Sequence, residues 1–525
     1  MGPLPTASPQ FCFLDANLGV LLAVPRTYRR IEATESPLHR YQHWNLHSSL
    51  LHRITPELFS AVVTKSQHRT STPRLSEPYS RCTTIHPYIH TQTMPSTTDD
   101  PLPDPKSLGT VLVIGGCGFL GRHVVDQLLN FPSEKATTPS SSSSLSLGPN
   151  KGRYAFTYAP LSSRYPSYDQ SGTTVHALDL KCTRNRLPGC TYHEADITDA
   201  EQLLRIFTQV KPDVVINTAS PSWEAPRTIL QRVNVEGTRT LLEVAGGARG
   251  SWGGKCKAFV HTSSSSVIHD AQSDLRNADE RWPLVIPNER EYYSETKAQA
   301  ELEVLKVNGR EDLGGMLTSA VRPAGITGEG DLGGIAYGLC KTASVAPLWQ
   351  LHIQLGPGDN LFDTTYVGNV ALGLLLVAEA LLITYQRKSQ GKADVLEHER
   401  VDGEAFIVTN DAPCYFWDIT KFVWSRIGKE IGGVDKIWAL PEAMAQVIGA
   451  LSEAFGAISG RKGKINRQTV KYSCIDRYYS CEKIKRRCGY RPVVGVEEGL
   501  ARSVDWFLGW DKEQAGNGSV AKKTQ

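Results

Sequence analysis

From Thr110 onward the chain alternates short apolar runs with amphipathic stretches. Thr110-Val-Leu-Val-Ile114 is a run of the buried-strand kind. It meets Gly115-Gly-Cys-Gly-Phe-Leu-Gly121 and then a helical stretch at 119–130. Residues 174–179 predict a second strand, and Thr191-Tyr-His-Glu194 a third that ends near Asp196. Thr198-Asp-Ala-Glu201 has capping-box spacing and opens a helix to about Val210, closed by Lys211-Pro212. Residues 213–217, 258–262 and 319–322 read as further buried strands, with a helix over about 227–245. Such alternation predicts an α/β fold, a doubly wound parallel sheet with helices on both faces.

Four stretches break the pattern. Residues 1–105 are rich in Pro, Ser, Thr and His without periodicity, and seven of the fourteen histidines precede Met94. Residues 1–93 also hold the whole positive excess of a chain whose formal net charge is +3. The segment reads as a disordered tail, as a targeting peptide (a poor fit by length and Pro content), or as residues outside the native protein, with Met94 as its start. The last reading is preferred, because Met94 opens a short polar lead into the first strand. Residues 133–172, rich in Ser and Pro, read as an inserted surface loop. Beyond Pro323 the order becomes mixed, with apolar helical stretches at 366–384 and 439–459. Residues 108–325 are thus expected to form the sheet domain. Residues 326–510 form a smaller mixed substrate-binding part interleaved with the last sheet elements, and 511–525 a disordered tail.

Composition narrows the function classes. With 57 basic and 54 acidic side chains and no basic stripe, the chain is not built to coat nucleic acid. Its eleven cysteines include no CxxC pair, which argues for free thiols in a reducing compartment and against a zinc ribbon or disulfide scaffold. No metal site is expected. The longest apolar run, from Val370 to Ala378, ends at Glu379, short of the roughly 20 residues that span a bilayer.

The glycines carry the first chemistry. Gly115 permits a tight turn, Gly118 lets a pyrophosphate approach the backbone, and Gly121 lets the helix pack on the strand. The helix opened by Phe119 and Leu120 offers free N–H groups and a positive dipole end to phosphate. This is the Rossmann pattern for a dinucleotide. Asp179, ending the second strand, is the candidate for the adenosine ribose hydroxyls, or else a solvated strand-end carboxylate. It favours NAD, while Lys181, Arg184 and Arg122 are near enough in sequence to admit NADP. It lies further from the glycines than the usual spacing of about 20 residues, and the insert accounts for the excess. Asp196 can reach the adenine. Tyr293-Ser-Glu-Thr-Lys297 places a phenol and an ammonium on one helix face, where the cation favours phenolate and makes Tyr293 a general base. Tyr292 is out of register with Lys297. The run Thr262-Ser-Ser-Ser-Ser266, about 30 residues earlier, offers a serine to the substrate oxygen.

In this order, GxxGxxG, Asp179, Asn217-Thr-Ala-Ser-Pro221, Asn234-Val-Glu-Gly-Thr238, the serine run and YxxxK resemble the extended short-chain dehydrogenases. Val321-Arg-Pro-Ala-Gly-Ile-Thr-Gly-Glu-Gly-Asp331 and Thr365-Tyr-Val-Gly-Asn-Val370 narrow the resemblance to the 3β-hydroxysteroid dehydrogenase family, and within it to the fungal branch that oxidises 4α-carboxysterols. Gly489-Tyr-Arg-Pro492 and Val496-Glu-Glu-Gly-Leu500 fit extended members generally, so the resemblance covers about 108–510. It implies that Ser264 is the catalytic serine, with Ser263 and Ser265 as rivals. Tyr293 is then the acid/base, and Lys297 its partner and the ligand of the nicotinamide ribose. Ala219 and Ser220 line the cofactor cleft and Pro323 sits near the nicotinamide. Asn234 is either structural or functional, and Asp363 and Tyr366 are packing elements between small part and cleft. Ile114 stands where many members have Thr, and neither the insert nor the N-terminal extension is a family feature.

The implied activity is NAD(P)-dependent oxidation of a sterol 3β-hydroxyl. With a neighbouring carboxylate the product is a β-keto acid, which loses CO₂ from the same site. The stretches 366–384 and 439–459 are expected to supply an apolar pocket. Residues 440–458, followed by Arg461, Lys462 and Lys464, read either as a helix on a membrane surface or as an ordinary core helix. The resemblance implies a peripheral place on the cytoplasmic face of the endoplasmic reticulum, otherwise the cytoplasm. Homodimers are common in the superfamily, though no residue marks one here. Three alternatives stand. The first is an extended member acting on another secondary alcohol, ketone or nucleotide sugar; a nucleotide sugar calls for Arg or Lys facing its diphosphate, and 331–370 has only Lys341. A non-catalytic dinucleotide sensor is disfavoured by the Tyr/Lys pair. A dead gene product is raised by the insert.

Overall fold

The computed structural model describes residues 106–137, 158–429, 431–432, 436–459 and 466–523. The expectations for residues 1–105 and for the middle of the insert lie outside these. Seven strands form the main sheet: β1 (Gly109–Ile114), β2 (Thr173–Asp179), β3 (Thr191–Glu194), β4 (Val214–Asn217), β5 (Ala258–Thr262), β6 (Leu317–Pro323) and β7 (Ala405–Val408). All pair in parallel, in the order β7-β6-β5-β4-β1-β2-β3. The chain reverses its winding between β1 and β4, and ligands bind at such a switch point, beyond the carboxyl ends of the strands.

The helices that bear on the core and the site are α1 (Phe119–Leu128), α2 (Ala200–Val210), α3 (227–245), α4 (Tyr292–Lys306), α5 (Val367–Ser389), α6 (Glu442–Ser459), α7 (Arg467–Tyr472) and α8 (Val496–Lys523). Helix α3 runs through Arg227–Leu230, a π-helical stretch Gln231–Gly237, and Thr238–Ala245. The period-2 pattern of β1 builds both layers. Val111 and Val113 pack with α1 and α5 on one side, while Leu112 and Ile114 pack with α2, α3 and α4 on the other. Burial of each such aliphatic side chain stabilises by about 1.5–3 kcal/mol.

Four expectations change. The cap of α2 is Asp199, whose carboxylate accepts from the N–H groups of Glu201 and Gln202. Thr198 gives its hydroxyl to Asp196 instead. The far side of the insert is no surface loop. Leu161, Tyr165 and Tyr168 are buried, the Tyr165 hydroxyl donates to Asn369 (3.0 Å), and Arg164 pairs with Glu498. Helix α5 is apolar and long enough to cross a membrane, yet it packs against α1 and the sheet. Its apolar side chains are spent on that core, so stretch 366–384 does not wall a substrate pocket. Helix α8 continues to Lys523 where the polar composition predicts disorder, and Trp510 near its middle caps a ring cluster with Tyr337 and Phe507.

Candidate active site

Backbone builds the cofactor side. Gly115 has φ +77°, and a Cβ there would stand 2.8 Å from the Ala219 nitrogen. A Cβ on Gly121 would meet the Gly115 carbonyl oxygen at 2.1 Å, so the turn closes only with hydrogen at both positions. Beyond the turn, the first N–H groups of α1, at Phe119 and Leu120, lack helical acceptors. Asp179 ends β2 beside the loop, with Oδ2 accepting from Cys117 N (3.2 Å) and Oδ1 from Leu180 N (2.8 Å). Burial pushes its carboxyl above the usual range, against those N–H groups and Arg184. A diol donating to it would relieve that cost. The cradle fits a dinucleotide: glycines beneath the phosphates, a carboxylate for the ribose. Asp196 is otherwise engaged, holding Thr198 and pairing with Arg232 at 2.7 Å. Thr218 restores the hydroxyl that Ile114 lacks, donating to the Ile114 carbonyl at 2.7 Å.

Side chains build the other half. Tyr293 and Lys297 lie on the inner face of α4. Burial pushes the Tyr293 phenol up, the Ser220 hydroxyl pulls it down and the charge of Glu291 pushes it up again. Burial pulls the Lys297 ammonium down to about 8, with Glu301 opposing. Lys297 donates to the carbonyl of Thr262 at the end of β5, and, against the expectation from the i,i+4 spacing, the groups that shift the Tyr293 phenol are Ser220 and Glu291. Tyr292 turns away, donating to Gln231 (2.9 Å) beneath the Arg227 guanidinium. Exposure divides the four serines into two pairs. Ser263 and Ser265 are buried, whereas Ser264 and Ser266 are half-buried. Asn234, in the π-helical stretch of α3, donates to Thr296 (3.0 Å) and accepts from Ser220 (3.1 Å), which ties the Tyr293 partner to the scaffold. Pro323 is buried at the end of β6. Asp363 accepts from Tyr479 N (2.7 Å), and Tyr366 donates to Glu329 (2.8 Å), both as packing links.

The profile of the 3-beta hydroxysteroid dehydrogenase/isomerase family matches residues 170–441. The sterol-4-alpha-carboxylate 3-dehydrogenase (decarboxylating) of Candida albicans is 35% identical over 407 residues, 77% of this chain and 98% of that protein. Its Saccharomyces cerevisiae counterpart is 34% identical over 77% of this chain and 99% of that protein. The chain belongs to the 3-beta hydroxysteroid dehydrogenase/isomerase family. Among solved structures, the UDP-glucose 4-epimerase of Thermotoga maritima aligns with a TM-score of 0.48 and 18% identity, over 76% of this chain and 98% of that one.

In this member of the hydroxysteroid dehydrogenase family the structure brings Ser264, Ser220, Tyr293 and Lys297 to one end of the sheet. It adds a group that sequence reasoning missed. Ser264 and Ser266 share a hydrogen bond of 2.8 Å, Ser266 and Ser294 another of 2.8 Å, and Ser294 reaches Glu291 at 3.0 Å. Tyr472 of α7 donates to the second carboxylate oxygen of Glu291, and Arg477 lies over the Tyr472 ring at 4.1 Å. Ser294 and Glu291 flank Tyr293 in sequence, a cue that was readable. Tyr472 and Arg477 arrive from about 180 residues away and carried no cue.

Proposed function

We propose that the protein oxidises the 3β-hydroxyl of a 4α-carboxysterol with NAD⁺ and releases the carboxylate as CO₂. The observation that carries this is the convergence of Ser264, Tyr293 and Lys297 beside a glycine cradle, in a chain that aligns along nearly the full length of sterol-4-alpha-carboxylate dehydrogenases. Tyr293, as phenolate, takes the hydroxyl proton. Ser264 hydrogen-bonds the reacting oxygen. A bound nicotinamide supplies the hydride acceptor. Lys297 fixes the strand end that carries Ser264 and keeps positive charge on the Tyr293 face. An apolar substrate suits the rim, where Trp223, Ile229 and Ile286 are exposed on segments joined by the Arg227–Glu289 hydrogen bond. Asp179 supports NAD over NADP, since a carboxylate repels a 2′-phosphate.

The test is to mix protein with 4α-carboxysterol and NAD⁺ or NADP⁺, and to follow reduced-cofactor absorbance and CO₂ together. Both signals, larger with NAD⁺, are expected. Absorbance from a plain 3β-hydroxysteroid but not from the carboxysterol would move the substrate within the family. Silence from folded, NAD-binding protein would overturn the reading.

We propose further that the enzyme works at an anionic membrane surface, peripherally on the cytoplasmic face of the endoplasmic reticulum. Along α6, Met444, Val447, Ile448, Leu451, Phe455 and Ile458 form one exposed apolar stripe. Trp438 and Trp349 extend it through the pairing of 438–440 with 353–355. Arg461, Lys462 and Lys464 come next in the sequence and match anionic headgroups. Helix α7, packed on α6, touches Glu291, so the stripe borders the substrate side. Flotation with phosphatidylserine-containing vesicles is expected to recover wild type and to lose L451D/F455D. Equal flotation of both would overturn the surface.

A further inference from the structure

The reaction requires two proton transfers at one oxygen, in opposite senses. Oxidation takes a proton off the hydroxyl. Loss of CO₂ from the β-keto acid then drives negative charge onto the same oxygen, which needs a proton back. Tyr293 serves the first transfer. For the second, two donors serve the same oxygen: Tyr293, protonated by the first transfer, and Ser264.

We infer that the proton comes through Ser264 from Glu291, along a wire of three serine hydroxyls, Ser294, Ser266 and Ser264. The inference rests on the 4α-carboxysterol reading and deepens it. The links measure 3.0, 2.8 and 2.8 Å, each within hydrogen-bond range. Each hydroxyl has one proton to give, so the state of Glu291 sets the direction of the chain. With Glu291 ionised, Ser264 points its proton along the wire and offers a lone pair to the cleft. With Glu291 protonated, every hydroxyl turns over and Ser264 donates to the substrate oxygen.

In the step itself, the bond between C4 and the carboxylate breaks, and its electron pair forms the C3=C4 double bond. The carbonyl π pair moves to O3, which takes the proton of Ser264. Ser266, Ser294 and Glu291 replace it in turn. CO₂ leaves, the enol remains, and Glu291 is left ionised. The enol returns to the ketone by protonation at C4 from water, and Glu291, which is only partly buried, regains its proton from solvent.

The surroundings fit an acid. Burial pushes the Glu291 carboxyl up, against Ser294 and the charge of Arg477 on the neighbouring strand. The other titratable groups facing it are Tyr293 on its own helix, Tyr472 on α7 and Tyr479 beside Arg477. Tyr293 has just been protonated when the relay acts and burial pushes the Tyr479 phenol up, so the charge set against Glu291 is that of Arg477. Glu291 touches no substrate atom, so it acts as a positioning and proton-supplying residue rather than as part of the Ser264/Tyr293 pair.

The experiment is a rapid-quench first turnover with full-length protein, NAD⁺ and 4α-carboxysterol, measuring reduced cofactor, CO₂ and retained β-keto acid. Wild type should form CO₂ in step with reduced cofactor. In E291Q, CO₂ should lag by about 10²-fold or more while β-keto acid accumulates, as expected on loss of a general acid. E291D should recover part of the lag. S266A cuts the wire with Glu291 intact and should show the same lag, which decides the matter if E291Q does not fold. CO₂ in step with reduced cofactor in both E291Q and S266A overturns the relay and leaves the substrate reading standing. Wild type that reduces NAD⁺ with a plain 3β-hydroxysteroid but never releases CO₂ overturns the substrate reading, and the relay with it.

Discussion

On the dinucleotide side of the cleft the chain works with backbone, and on the substrate side with side chains. Gly115 and Gly121 matter for the atoms they lack, and the phosphate donors are the N–H groups of one helix end. Across the cleft, Ser264, Ser266, Ser294, Glu291 and Tyr472 come from β5 and its exit, α4 and α7, and each depends on the next. The contrast has a consequence for substitution. Changes on the first side act through space and conformation. Changes on the second act through protons and read out as chemistry.

The largest effect should come from Tyr293→Phe. It removes the group placed to take the alcohol proton, so kcat should fall by about 10³-fold. NAD⁺ affinity should stay near wild type, because the glycine cradle is untouched. Fluorescence titration beside steady-state rates checks both, and wild-type turnover in the variant would sink the assignment.

The same contrast explains what the sequence disclosed. Strand, glycine turn and helix are contiguous, so residues 110–128 declared both the fold and the cofactor side. Tyr293 and Lys297 were readable because helical spacing puts i and i+4 on one face. The four serines were not resolvable by spacing, since which of them faces the cleft depends on how the chain leaves β5. The Glu291 contacts depend on α7, brought in from the far end of the chain. Helices α5 and α6 mark another limit. Both are apolar, yet α5 is buried against the sheet and α6 shows its stripe to the outside. Composition does not say which partner a helix will find.

The next effect crosses between the two sides. Arg322 of β6 and Glu301 of α4 form a buried ion pair that holds the helix of Tyr293 and Lys297 against the sheet. Glu301→Ala leaves the guanidinium buried and unpaired, which should cost about 3–5 kcal/mol of stability. Urea denaturation measures it, and a loss below about 1 kcal/mol, the level of a surface pair, would show that the pair is dispensable.

A smaller loss should result from Gly121→Ala. Its new methyl meets the Gly115 carbonyl, so the turn must open, at about 1–3 kcal/mol of overpacking. The telling measurement is NAD⁺ affinity, which should drop more than catalysis per bound cofactor. Equal affinity in variant and wild type would mean that the close approach is not what shapes the cradle.

The gentlest probe is pH, which bears on the substrate side alone. Burial raises the Tyr293 phenol above its ordinary value, with the Ser220 hydroxyl opposing and Glu291 adding to the rise. Below that pKa the phenolate fraction grows about tenfold per pH unit, so kcat/KM for alcohol oxidation should climb through the neutral range. Burial acts in the opposite sense on Lys297, whose ammonium is pulled down to about 8. Above that pH the positive charge on the Tyr293 face is lost and the phenolate loses its support. The profile should therefore climb to about pH 8 and bend over there. Lys297→Arg keeps its charge through this range. Its reaction should be slower, because the guanidinium fits the Thr262 carbonyl less well, but its profile should climb without that bend. The same bend in K297R would move its origin away from Lys297 and onto another group of the serine and carboxylate half.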